Sequence, residues 1–191
     1  MKKRVLLIIK NRKNLFQRKV FINKIIYLNS YPYGTPKYNP VDEKHLIDPH
    51  SPYTKSKVHA ENILLNYFEN EVNVISLRMF NLYGFYQREN FLIPTLVRQA
   101  LKGSVINVKD TKSKRDYIYI RDLISLLRII INFTNCKGIY NVGFGKSFSV
   151  NEIVTIIEKI LNKKLQIISE ETPRKDDVLD CFSNSNKVRH K

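Results

Sequence analysis

The sequence predicts an α/β fold built on a parallel sheet, and three observations predict it. Lys24-Ile25-Ile26-Tyr27-Leu28 is a short continuous apolar run, the mark of a strand buried on both faces, and Val72 to Leu77 is another. Between them, Ser51-Pro52 opens a segment with helical spacing over 52–68. Strand, loop, helix, strand in that order is a right-handed parallel crossover.

Each element has a local reason. Residues 1–24 mix basic residues with Val5, Leu6, Ile8, Ile9, Leu15, Phe16 and Val20, which fits a basic arm or a helix. Asn29 to Pro40 carries Gly34, Pro36 and Pro40 and reads as a loop. Ser51 suits an N-cap and Pro52 the first helical position. Ala60, Ile63, Leu64 and Phe68 then fall at helical spacing. Further on come the run 104–109, a strand over 116–120 and a helix over 150–162. Ser149 and Glu152 form a capping box at the start of that helix.

Bulk properties exclude several classes. With 191 residues, 43% hydrophobic and 11% aromatic, the chain has the composition of a globular protein with a sizeable core. No apolar run approaches the roughly 18 residues needed to span a bilayer. The apolar stretch Val5–Ile9 behind Lys2-Lys3-Arg4 is too short for an export signal. Cys136 and Cys181 have no metal-ligand spacing and read as reduced thiols of a cytoplasmic protein. The net charge is +16, and residues 1–30 hold nine Lys or Arg and no acid. Such a patch suits nucleic acid or an anionic membrane surface. No stacking aromatics interleave with it, so a solvated basic face is the better reading.

Tyr53 and Lys57 carry the candidate chemistry. Four residues apart at the start of a helix, they share a face. An ammonium and the positive helix end both favour a phenolate, which makes Tyr53 a credible acid/base. Tyr33 and Lys37 have the same spacing, but Gly34 and Pro36 forbid a helix there. Open α/β sheets deliver function at the carboxyl ends of their strands, here Asn29/Ser30 and Arg78 to Gly84.

Several motifs recur in one order: Tyr53-Thr-Lys-Ser-Lys57, Arg78-Met-Phe-Asn81-Leu-Tyr83-Gly84, Arg115-Asp116-Tyr-Ile-Tyr-Ile-Arg121-Asp122, Tyr140-Asn141-Val142-Gly143 and Pro173-Arg174-Lys175-Asp176-Asp177-Val178. Together they resemble the extended short-chain dehydrogenase/reductases of the NAD-dependent epimerase/dehydratase family, which act on nucleotide sugars. The resemblance runs from about Ile25 to Lys187. It implies the C-terminal half of a Rossmann-like parallel sheet plus a small substrate-binding α/β subdomain. Residues 25–100 and about 139–148 would belong to the first part, 101–138 and 149–191 to the second. It further implies NAD as cofactor and a nucleotide sugar as substrate, and leaves room for a homodimer. Tyr53 would be the acid/base, with Lys57 lowering its pKa and bonding the cofactor ribose. Phe80 would join them as a cofactor contact. Asn81, Arg115 and Arg174 would bind substrate, the arginines clamping the diphosphate through planar donor forks.

The chain departs from the family pattern in ways that matter chemically. Its six glycines, at 34, 84, 103, 138, 143 and 145, form no Gly-x-x-Gly-x-x-Gly turn for a dinucleotide. The expectation is therefore an N-terminally truncated sheet, its missing half supplied by a second chain if the protein is active. The position of the family's catalytic Ser/Thr is taken by Asn29, which bonds but does not relay a proton, and Ser30 beside it is the candidate substitute. Dehydratases place an acidic pair just after that hydroxyl. Here Ser30 and Tyr31 follow Asn29, so an epimerase is preferred, with an inactive remnant or a nucleotide-sugar-binding module as the alternative.

Overall fold

The computed structural model describes residues 23–30, 32–68, 72–132, 136–172 and 178–189. The basic arm falls outside these residues except at its end, where Lys24 is already part of a strand.

The first sheet holds β1 (Lys24–Ser30), β2 (Asn73–Met79) and β6 (Gly138–Val142) in the order β1-β2-β6, all parallel. The crossover between β1 and β2 is α1 (Pro52–Tyr67), as the order of apolar runs predicts. Side chains alternate between the two faces of these strands. Ile26, Ile75, Leu77, Tyr140 and Val142 point to one face, where Leu123 and Ile130 of α3 (Ile120–Asn132) complete a core. The opposite face lies under α1. Lys24 reaches across from β1 so that its Nζ donates to the Ile130 carbonyl at 2.6 Å, placing a cation on the carbonyl end of α3.

Two smaller sheets flank this one. β3 (Asn81–Tyr83) and β5 (Lys114–Tyr119) are parallel, and β5 also pairs β7 (Ser147–Ser149) and β9 (Asp180–Cys181). β4 (Val105–Val108) pairs β8 (Gln166–Ser169). On that pair α2 (Leu92–Lys102) and α4 (Val150–Leu161) bury Leu96, Ala100, Ile106, Ile153, Val154 and Ile157. A single turn of helix, α5 (Asn186–Arg189), ends the described chain. No helix among the described residues is long and apolar enough to cross a membrane.

Both caps expected from the sequence are present. Thr54 N–H donates to the Ser51 hydroxyl at 3.1 Å, and Glu152 N–H to the Ser149 hydroxyl at 3.2 Å. Of the apolar positions of α1, Ala60 and Leu64 are half-buried and Ile63 is exposed, and the one buried residue of the helix is Glu61. The reason is that α1 lies over the polar residues Asn29, Ser76 and Arg78, which need a hydrogen-bonding partner rather than a hydrocarbon one.

Candidate functional site

The parallel register aligns Ser30, Met79 and Val142 along the carboxyl edge of the first sheet. At this edge the hydroxyls of Ser30 and Tyr53 share a hydrogen bond of 3.0 Å. Tyr53 is 61% exposed, so the pair is open to a ligand. Ser30 ends its strand, and Tyr53 stands in the first turn of α1 just behind the Ser51 cap.

Asn29 does not join them. Strand alternation turns its side chain under α1, where it is fully buried and its Nδ2 donates to Glu61 Oε2 at 2.8 Å. Its Oδ1 has no hydrogen-bond partner. Ser30, one residue on, is the hydroxyl that meets the phenol.

Glu61 was not legible as a functional-region residue. It accepts from Ser76 Oγ and forms a buried ion pair with Arg78, Nη2 to Oε1 at 2.6 Å, with Arg78 Nε donating as well at 3.1 Å. Burial alone would raise its carboxyl. Hydrogen bonds from Arg78, Ser76 and Asn29 and the Arg78 charge outweigh that and hold it below its ordinary value. Arg78 Nη1 also donates to the Tyr33 phenol at 3.1 Å, and Tyr33 in turn donates to Asn141 Oδ1. Tyr33, the tyrosine of the decoy spacing, is thus a core residue; its burial pushes the phenol up to about 12 against the pull of Arg78.

Lys57 lies on the sheet-facing side of α1. Its Nζ donates to the Leu28 carbonyl at 2.7 Å and sits 4.5 Å from the centre of the Tyr27 ring. The Tyr27 hydroxyl donates back to the Lys57 carbonyl at 3.0 Å, so the lysine is gripped at both ends.

The remaining candidates lie beyond the ends of β2 and β3. The Phe80 side chain is buried with Tyr33, Val41 and Cys181, and its N–H donates to the Val142 carbonyl at 3.0 Å. The ring is therefore part of the core. Asn81 is exposed, and its Nδ2 donates to the Asp116 carbonyl at 3.1 Å. A carbonyl accepts only, so this bond fixes the amide and leaves Oδ1 as the outward acceptor. Arg115, half-buried on β5, donates from Nη1 to the carbonyls of Lys114 and Val178. Arg174 lies outside the described residues.

The Asp116 carboxylate beneath them is buried and accepts from the N–H groups of Phe144, Gly145 and Ser183 and from the Ser183 hydroxyl, at 2.7 to 3.0 Å. It ties β5, the turn after β6 and the segment near Ser183 into one support.

A model of the NAD dependent epimerase/dehydratase family matches residues 13–143. The chain belongs to that family. A UDP-glucose 4-epimerase of Oryza sativa subsp. japonica is 30% identical over 192 residues, covering 86% of this chain and 51% of that protein. A dTDP-4-dehydro-6-deoxyglucose reductase of Escherichia coli is 33% identical, covering 81% of this chain and 50% of the relative. The solved UDP-N-acetylglucosamine 4-epimerase of Methanobrevibacter ruminantium M1, in complex with UDP-N-acetylmuramic acid, superposes with a TM-score of 0.77 at 26% identity over 88% of this chain and 56% of that one. The chain spans about half the length of the relatives it matches.

The Ser30 and Tyr53 hydroxyls stand together at the sheet edge, while the Lys57 ammonium, one turn along α1, is held on the Leu28 carbonyl. Among the described residues, three glycine N–H groups are engaged within the chain itself. The Gly143 N–H donates to Ser185 Oγ, that of Gly145 to Asp116, and that of Gly103 to the Gln99 carbonyl.

Proposed function

We propose that this chain carries the acid/base and nucleotide-sugar-binding part of an NAD-dependent epimerase/dehydratase, with epimerase preferred. The observation that carries the reading is the 3.0 Å bond between Ser30 and the exposed Tyr53 at the carboxyl edge of a parallel sheet. Tyr53 takes the proton of a sugar hydroxyl and returns it, while Ser30 hydrogen-bonds the same oxygen. Lys57 lends positive charge from the adjacent turn of α1. NAD supplies the hydride chemistry when bound. Asn81 offers an acceptor to the substrate, and Arg115 and Arg174 are assigned to its diphosphate. The preference for epimerase rests on the absence of acids after Ser30, where Tyr31 and Pro32 follow.

The glycine inventory favours a second reading, in which the chain binds nucleotide sugar but holds NAD only with help from another segment or chain. Titrating the purified chain with NAD separates the two. Saturable binding supports catalysis by this chain; none, with nucleotide-sugar binding intact, leaves the binding module.

A further inference from the structure

Tyr53, Lys57 and Glu61 follow one another at four-residue steps and so fall in one stripe of α1. Glu61 is the only buried residue of that helix, and α1 is thereby docked through a carboxylate rather than an apolar ridge. The carboxylate bonds to both strands beneath it, to Asn29 on β1 and to Ser76 and Arg78 on β2. Asn29 is the immediate neighbour of Ser30. One side chain therefore holds the helix that carries Tyr53 and the strand end that carries Ser30.

We infer that Glu61 is the positioning residue of the Ser30–Tyr53 pair, setting the separation of the two hydroxyls from two helical turns away. The inference rests on the reading of that pair as the acid/base site, but its geometry stands without any ligand. Eight residues of helix place Glu61 about 12 Å along the axis from Tyr53, so a small rotation of α1 about this anchor changes the Ser30 distance. Lys57 ties the helix to Leu28 and Tyr27 of β1 alone, whereas Glu61 reaches both strands. The Glu61 site is less forgiving. Its oxygens face only donors: an amide, a hydroxyl and a guanidinium. An amide in its place would set N–H groups against N–H groups.

Fluorine NMR of the chain labelled with 3-fluorotyrosine tests this. Tyr53→Phe identifies the Tyr53 signal among the 11 tyrosines, and Ser30→Ala gives the shift that loss of the hydroxyl bond produces. In Glu61→Gln the Tyr53 signal is expected to move in the same sense by more than its linewidth, while the Tyr119 signal stays in place. A purely structural role for Glu61 would lower the unfolding midpoint and leave the Tyr53 signal of the folded molecules unmoved, and that result overturns the inference. If Glu61→Gln does not fold, Ser76→Ala, which removes a single bond to the carboxylate, decides by the same signal. The readout needs neither NAD nor sugar. A chain that binds no nucleotide sugar would sink the functional reading, whereas a Tyr53 signal indifferent to Glu61 sinks this one.

Discussion

Ser30 and Tyr53 meet at 3.0 Å through their hydroxyls, while Asn29, one residue earlier, is turned into the core against Glu61. Neighbours on a strand point to opposite faces, so one of the two had to be structural. Substitution separates their roles. Ser30→Ala, at a half-buried strand end, should change unfolding free energy by no more than about 0.5 kcal/mol. Asn29→Ala removes a bond to a buried carboxylate and should lower stability by about 1–3 kcal/mol. Urea unfolding of the two variants checks this, and the reverse ranking would put Asn29 back at the site.

Glu61 sets an acid limit on the fold. Its carboxyl is lower in the folded chain than in the unfolded one. The stability it contributes is therefore full above the ordinary carboxylate range, about 4.3, and is lost as pH falls through the depressed native value. Thermal midpoints measured downward from about pH 7 should fall steeply once the ordinary range is passed. Arg78→Met, by removing the cation that holds the carboxyl down, should shrink that loss, because the native carboxyl then titrates closer to the unfolded one. A loss of undiminished size would mean that the pair does not govern α1 docking.

Gly143 is fixed by crowding. A Cβ there would lie 2.4 Å from Ser183 Oγ and 2.5 Å from Asp116 Oδ2. Gly143→Ala should therefore cost about 1–3 kcal/mol through overpacking against a hydrogen-bonded group. Gly103→Ala, which meets nothing within 4 Å, is the control. Denaturant unfolding of both variants reads the difference.

The core of the fold was legible because its signals are local. The apolar runs located β1 and β2 to within about two residues, and Ser51-Pro52 and Ser149/Glu152 located both capped helix starts. The Tyr53/Lys57 stripe was legible for the same reason. What escaped is of two kinds, one local and one that depends on contacts far apart in sequence. The apolar positions of α2 and α3, Leu92, Leu96 and Ala100 and then Leu123, Leu127 and Ile130, do recur at helical spacing and could have been assigned. Glu61 and Asp116 gave no such signal. A lone acid on a helix or strand reads as solvated, and only the assembled sheet shows that donors converge on it. Asn29 and Ser30 could not be told apart in role until the strand's facing was known.

The central claim is that a nucleotide sugar binds beside the Ser30–Tyr53 pair of this chain. Calorimetric titration of the purified 191-residue chain with UDP-glucose tests it most directly. The account predicts saturable binding of one molecule per chain, weakened about tenfold, or 1.4 kcal/mol, by Arg115→Ala. No saturable binding to a chain that unfolds cooperatively, or binding that Arg115→Ala leaves unchanged, would contradict it.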